Sequence, residues 1–455
     1  MTGLHQTTTQ LGDPEGEQAR LGPLVVRWLS PSDSGQVSLL DRDEVSVGRD
    51  DEADMKLNAS GVSRLHARFH RQGPIYALHD LSSTNGSFVN GARVQHIGLS
   101  ENDVLRFGAA VGVVCRLGCD RSTETELEEV APGVMVSPGL AREFDQLRRA
   151  AKSDLPVVLW GETGVGKERL AQALHVMSGR SGAYHGINCA ALPAALAEAE
   201  LFGHRRGAFT GADQPGLGHQ RAAHLGTFLL DELSDLAAPL QAKLLRVLQE
   251  AAVIPLGETR ATPIDVRIVA ACQEPLSALV ESKRLRPDLA ARLNGLSVEV
   301  PPLRKRRSDI ALLLGYFLSK HSGGRPPAVE PELLESLLVY AWPGNVRELE
   351  LVARRLLVLH SQEPVLRRSH LPEELRPSPQ KRLGSAPPEA SRREHDEHVF
   401  ALELRRNGGK VAPAAAAANI SRQRAYRLLG RRSVSEFLSE SAPDGTDDVD
   451  SNRSV

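Results

Sequence analysis

Cysteine is scarce in this chain of 455 residues: Cys115, Cys119, Cys189 and Cys272 are the only four. Only the first two are close together, and they lack His or Cys partners at metal-ligand spacing, which sets aside a zinc site. Idle or buried thiols in a reducing cytoplasm are the expectation. A surplus of one charge is also missing, since 55 Lys and Arg against 57 Asp and Glu leave a net of −2. The chain is therefore no polycation, and any contact with nucleic acid must come from a local patch. No apolar run approaches the length that crosses a bilayer, and Met1–Arg20 is too polar for a signal peptide. A cytoplasmic protein without membrane contact is expected. No internal repeat is visible. What remains is an ordinary balance, 41% hydrophobic and 25% charged, in a chain long enough for three domains with their own cores.

Shifts in composition divide the chain. Residues 1–20, polar and rich in Gly, Thr and Gln, read as a disordered tail. Over 21–118, β-branched runs such as Pro23–Trp28, Val45–Val47 and Val111–Cys115 alternate with Gly, Asp and Asn turns, predicting an all-β sandwich. Residues 119–133 form an acidic linker. From 134 to 304, helical patterns alternate with the apolar runs Val157–Trp160, Thr227–Leu233 and Val266–Ala271, the rhythm of a parallel α/β domain. Residues 305–374 read as helical, 375–393 as a Pro-rich linker, 394–433 as a small all-α segment and 434–455 as an acidic tail.

In the sandwich three patches stand out: Gly48-Arg49, Ser63-Arg64-Leu65-His66 and Asp80-Leu81-Ser82-Ser83-Thr84-Asn85-Gly86. Singly, each has an ordinary explanation as a surface charge, a core histidine or a turn. Together and in this order, over residues 22–117, they resemble the forkhead-associated (FHA) domain. A phosphothreonine dianion needs a guanidinium fork and short hydroxyl or amide donors converging from loops. The resemblance implies that Arg49 and Ser63 hold the phosphate with Thr84 and Arg64 assisting. It also implies that Asn85 bonds the ligand's backbone, while His66 and Gly86 shape the loops. The partner is then a phosphothreonine-bearing protein, a Ser/Thr kinase or its substrate.

In the central region, Val157–Trp160 runs directly into Gly161-Glu162-Thr163-Gly164-Val165-Gly166-Lys167-Glu168 and an amphipathic pattern from Arg169. The three glycines let backbone amides wrap phosphates, Lys167 reaches the β and γ oxygens, and the helix turns its N-terminus to the same charge. ATP with Mg2+ is the implied cofactor pair. The apolar run Phe228–Leu230 ends in Asp231-Glu232, a magnesium-facing carboxylate followed by a base for water at a strand's C-terminal end.

Between these lies Leu201–Ala212, whose last six residues are Gly207-Ala208-Phe209-Thr210-Gly211-Ala212. They match the signature loop of sigma-54 activators among AAA+ ATPases, and the resemblance extends over residues 134–374. It implies that Asn188 senses the γ-phosphate and restrains Glu232, that Arg286 and Arg292 reach the ATP of a neighbouring subunit, and that Arg347 senses nucleotide from a helical lid. Arginines offered in trans imply a closed ring, a hexamer in this family. Glu168 agrees with the subgroup. Three positions depart from it: Ala271-Cys272-Gln273 replaces Ala-Thr-Asn at the first sensor, Leu225 stands where Gly is usual, and Leu285 replaces Phe.

From His398 to Arg432 there are eight Lys or Arg against one acid, 8 − 1 = +7 in an otherwise near-neutral chain. Pro413 suits a first helical turn, Asn419 a left-handed turn, and Ser421 the cap of a second helix. The segment resembles a Fis-type helix-turn-helix. In it Arg422, Gln423, Arg424 and Arg427 would face the major groove, and Arg431 and Arg432 the phosphates. A solvated basic helix or an oligomerisation hairpin fits the same residues.

The combined expectation is a multidomain activator: an FHA sandwich, an α/β AAA+ P-loop ATPase with an α-helical lid, and an all-α helix-turn-helix. It would remodel sigma-54 RNA polymerase from upstream enhancer DNA under phosphothreonine control. Two other readings fit parts of the chain. An AAA+ DNA-binding regulator that ignores sigma-54 is opposed by the intact loop. A phosphopeptide adaptor with weak ATPase is kept open by Cys272 and Gln273.

Overall fold

The computed structural model describes residues 23–376, apart from 31, 73–74, 117–126, 132 and 194, and further on 400, 404, 409–417, 422–429, 434 and 437. The expected tail 1–20, nearly all of the linker 375–393, Asn419, Ser421, Arg431, Arg432 and 438–455 lie outside the described residues. The described residues up to 376 and those from 400 onward belong to two compact units.

The sandwich is built from eleven strands: β1 (Leu24–Trp28), β2 (Val37–Leu39), β3 (Glu44–Gly48), β4 (Met55–Lys56), β5 (Ala67–Gln72), β6 (Ile75–Asp80), β7 (Ser87–Val89), β8 (Ala92–Val94), β9 (His96–Gly98), β10 (Val104–Phe107) and β11 (Ala110–Arg116). They form two sheets in the orders β2-β1-β11-β10-β7-β8 and β4-β3-β5-β6-β9. Trp28, Phe69, Leu78, Leu105 and Phe107 fill the space between them. Alternation along β10 and β11 sends Leu105, Phe107, Ala110 and Val114 inward, and Val104, Val111 and Val113 to the opposite face. That outer face is also dry, because the lid covers it.

The expected linker contains more structure than its acidity suggests. Glu128–Ala131 (β12) pairs antiparallel with Val134–Val136 (β13) across a turn at Gly133, whose φ is +73°. Val134 and Val136 join the α/β core and Val130 packs on it, so burial overrides local charge.

The α/β domain follows with α1 (Ala141–Ala150), β14 (Val157–Trp160), α2 (Lys167–Ser178), β15 (Tyr184–Asn188), α3 (Ala197–Phe202), α4 (His219–Ala222), β16 (Thr227–Asp231), α5 (Ala238–Glu250), β17 (Ala252–Val253), β18 (Thr262–Pro263), β19 (Arg267–Cys272), α6 (Leu276–Glu281), α7 (Pro287–Leu293) and β20 (Leu296–Glu299). Its parallel sheet has the order β15-β16-β19-β14-β20. The lid comprises α8 (Ser308–His321), α9 (Pro331–Val339) and α10 (Asn345–Leu359). It is not wholly helical, since Ala328–Val329 (β21) pairs with Val365–Leu366 (β22). Among the described residues no helix is long and apolar enough to cross a membrane.

The second unit places α11 (Val411–Ala417) and α12 (Arg422–Leu429) around Phe400, Leu404, Ala414, Ala415, Ala425, Leu428, Leu429 and Phe437. Tyr426 and Arg427 are exposed on α12.

Candidate functional site

Strand register brings Trp160 level with Cys272 and Asn188 level with Asp231 at one end of the parallel sheet. The carboxyl ends of such strands are where open α/β sheets bind ligands. Immediately after Trp160 the chain wraps through Gly161, Gly164 and Gly166, with φ of +151°, +79° and +108°, into the start of α2. Gly164 has a further reason to lack a side chain: a Cβ there would stand 2.3 Å from the carbonyl oxygen of Gly344 in the lid. Val346 N–H donates to the Gly164 carbonyl at 3.0 Å, so the lid's backbone rests directly on the phosphate loop.

Lys167 is 6% exposed, and its Nζ donates to the Gly161 carbonyl at 2.7 Å. Burial lowers its pKa, opposed by the charges of Glu232 and Asp231. Burial raises the pKa of Asp231, opposed by the Glu232 N–H it accepts from at 3.1 Å and by Lys167. Thr163 and Val165 complete the loop, and the charge of Glu168 reaches Asp231 from the first turn of α2. Among the described residues, no group of three or more His, Cys, Asp or Glu side chains could hold a metal ion. One or two carboxylates facing a phosphate loop are what Mg2+ bound chiefly through nucleotide phosphates requires, and Asp231 fits that role. Asp231 would hold such an ion, which when bound would supply neutralisation of developing phosphoryl charge.

Glu232 has a left-handed backbone, φ +52°. Its carboxylate accepts from the amide of Gln273 at 3.2 Å. Asn188 instead accepts from Ala190 N–H at 2.9 Å and caps the turn Cys189–Ala191. The amide that holds Glu232 in this structure is therefore that of Gln273, a residue that sequence reasoning registered as a departure bearing on the ATPase rate. Its neighbour Cys272 is fully buried and its thiol is pushed up to about 12 by burial, so it contributes no charge. Gln273→Ala should lower turnover roughly tenfold, well within what a displacement of about 1 Å can cost, with little change in KM for ATP. Steady-state kinetics check this split.

Glu162 meets the lid before it meets any nucleotide. Arg304 grips it with two bonds of 2.5 and 2.7 Å, and that bond holds its carboxyl down near a pKa of about 2. Buried Asn345 adds a bond to Glu162 at 3.2 Å and one to the Thr163 carbonyl at 3.0 Å. Arg347 stands beside Gly164, and its charge reaches both Lys167 and Asp231. The sequence had singled out Arg347 but neither Arg304 nor Asn345, although Asn345 lies two residues before it. Arg286 and Arg292 are exposed at the start and end of α7. Arg286 chelates Asp288 at 3.0 and 2.7 Å, and Arg292 donates to the Leu248 carbonyl at 2.9 and 3.2 Å.

The 207–212 loop stands on an anchored base. His204 and Gly216 exchange backbone bonds of 3.0 and 2.9 Å, and Gly207 N–H closes the loop onto the Ala212 carbonyl at 2.8 Å. Gly207 and Gly211 carry φ of +76° and +96°. Phe209 packs on the His204 ring, 5.0 Å between centroids, beside Ala208; Thr210 at the tip is exposed.

Residues 134–299 match the profile of the Sigma-54 interaction domain, 304–387 that of an AAA+ ATPase lid domain, and 45–108 that of the FHA domain. The transcriptional regulatory protein ZraR of Escherichia coli (strain K12) is 38% identical over 299 residues, covering 65% of this chain and 67% of ZraR. The chain belongs to the family of sigma-54-dependent transcriptional activators. The transcriptional activator RocR of Bacillus subtilis (strain 168) is 41% identical over 308 residues, covering 64% of this chain and 66% of RocR. The chain thus spans about two thirds of the length of these relatives. A crystal structure of NtrX from Brucella abortus in complex with ATP has a TM-score of 0.48 at 29% identity, covering 65% of this chain and 67% of that one. The central module of this family member is an AAA+ ATPase domain with its lid.

In the FHA domain, Arg49 follows β3, and its N–H donates to the Ser63 carbonyl at 3.0 Å. Gly48 is obligatory, for a Cβ there would sit 1.9 Å from the Arg64 carbonyl oxygen. Ser63 Oγ accepts from Thr84 N–H at 3.1 Å, and Asn85 donates to the Gly61 carbonyl at 2.8 Å. Buried His66 pins both loops: Nδ1 accepts from Ser63 N–H at 3.1 Å and Nε2 donates to the Gly86 carbonyl at 3.3 Å. Burial lowers its pKa, which suits this neutral tautomer. Arg49, Arg64, Thr84 and Asn85 present exposed side chains around half-buried Ser63. Of the helix-turn-helix expectation, α11 and α12 exist as helices, whereas the side chains of Arg422, Gln423 and Arg424 lie outside the described residues.

Proposed function

We propose that this protein opens sigma-54 promoters. A ring of identical subunits, a hexamer, hydrolyses Mg–ATP, and Phe209 and Thr210 press on sigma-54 RNA polymerase. The observation that carries this reading is the signature loop, intact and closed on an anchored base with Thr210 exposed, in the same domain as the phosphate loop. Exposed Arg286 and Arg292 on the outside of α7 suit groups that serve a neighbour's nucleotide. The basic residues of α12 would tether the protein to upstream enhancer DNA, and the FHA loops would bring it under a phosphothreonine signal, all within the cytoplasm.

The test is open-complex formation at a sigma-54 promoter preceded by a DNA site selected with the full-length chain. ATP should support opening and a non-hydrolysable analogue should not. Deleting 394–455 should raise the protein concentration needed by about 100-fold, because tethering acts through effective concentration. Absence of ATP-dependent opening would sink the activator reading. Full opening at low concentration without 394–455 would remove its tether.

A further inference from the structure

Arg106 lies in β10 on the sheet face that points away from the FHA core, yet it is only 9% exposed. Its Nε donates to Glu335 Oε2 at 2.7 Å and its Nη1 to Glu332 Oε1 at 3.4 Å, both on lid helix α9. The guanidinium carbon also stands 3.9 Å from the centroid of the Phe88 ring. Around this pair Val104, Val111 and Val113 share one apolar cluster with Ile310, Leu314 and Leu333 of the lid. Arg307, just before α8, donates to Asn90 Oδ1 at 3.2 Å and to the Asn102 carbonyl at 2.9 Å. The ring domain and the phosphate reader therefore share a packed, charge-paired interface.

The same arginine reaches back toward the phosphothreonine loops. Its Nη1 donates to the Gly108 carbonyl at 3.4 Å. Gly108, with φ +57°, is so close to Gly61 that a Cβ there would stand 2.5 Å from the Gly61 carbonyl carbon. Ala109 N–H donates to the Ser60 carbonyl at 2.8 Å, and Gly61 in turn accepts from Asn85. Asn85, Gly61, Gly108, Arg106 and Glu335 are consecutive links, each a bond or a tight backbone contact.

We propose that this interface is a latch: the FHA domain clasps the lid through Arg106 and Glu335, and a phosphothreonine peptide engaging Asn85 loosens the clasp. The proposal rests on the phosphothreonine reading and gives it a route to the ATPase. The clasp favours the lid position seen here, in which Arg304 is closed on Glu162 and Asn345 on Thr163. Contacts made in only one lid position bias the lid toward it. A ligand backbone that takes over the Asn85 amide releases the bond that fixes Gly61, and with it the support of Gly108 beneath Arg106. By linkage, the factor by which peptide weakens the clasp is the factor by which the clasp weakens peptide binding.

The experiment uses the full chain. Glu335→Lys sets a cation against Arg106 inside the buried interface, and the swap Arg106→Glu with Glu335→Lys restores an ion pair of opposite polarity. The probe is a phosphothreonine peptide selected from a library on the wild type, with its unphosphorylated form as control. Glu335→Lys should bind it about tenfold more tightly and turn over ATP several-fold faster, and the swap should return both toward wild type. Glu335→Gln, a milder change that preserves packing, should move both readouts in the same direction by less. Unchanged affinity and turnover in Glu335→Lys and Glu335→Gln would overturn the latch. If no phosphothreonine peptide binds any form, the phosphothreonine reading falls on its own. The turnover comparison then still judges the clasp: acceleration reversed by the swap supports it, and equal rates overturn it.

Discussion

Glu232→Gln should leave ATP binding intact while hydrolysis falls by about 10²- to 10⁴-fold, the usual worth of a positioned general base. The proposed phosphate cradle consists of the Gly161–Gly166 backbone, Lys167 and Asp231, and none of these takes its place from a bond to the Glu232 carboxylate. The Glu232 carboxylate accepts the amide of Gln273, and the Glu232 N–H bond to Asp231 belongs to the backbone, so that bond survives the substitution. An amide in its place keeps size and shape but cannot take a proton from water. Equilibrium binding of a fluorescent nucleotide, set beside phosphate release, separates the two effects. Parallel loss of binding and turnover would make the carboxylate a structural element of the site.

Thr210→Ala should retain at least half of the ATPase rate and lose nearly all promoter opening. Thr210 is exposed at the loop tip, and the loop is held by Gly207 with Ala212 and by the His204–Gly216 pairing, none of which uses the threonine side chain. Removing its hydroxyl and methyl would therefore subtract contact with the proposed partner and leave the base of the loop standing. Permanganate footprinting of the promoter, run beside phosphate release on the same protein, measures both quantities. Normal opening by this variant would remove the main support for a sigma-54 partner.

The strand, loop and helix of the candidate nucleotide site were legible because they are local. A strand, three glycines and a lysine occur in one uninterrupted stretch, and the structure folds that stretch as a strand, a loop and a helix. Leu225 was legible in another way. The resemblance implies Gly at this position, and the backbone there has φ +59°, a conformation that costs an ordinary residue roughly 1 kcal/mol. Contacts between distant parts were hidden. Arg106 and Glu335 are 229 residues apart, and Arg304 and Glu162 are 142 apart, so no spacing rule relates them. One trace of the first interface was nonetheless present. The run Ala110–Cys115 is apolar without alternation, which in a strand means burial on both faces. That the Gln273 amide meets Glu232 was hidden because side-chain reach, and not residue type alone, decides it.

The covered outer face of β10 and β11 bears on how such a protein can be assembled from interchangeable parts. A phosphate-reading domain excised after Arg116, or borrowed from an unrelated protein, would meet water with a strip of valines and a stranded arginine, or would meet the lid with a surface never shaped for it. Gene fusion alone does not make a sensor of such a graft. Strands β10 and β11 and helix α9 have to be inherited, exchanged or redesigned as one piece.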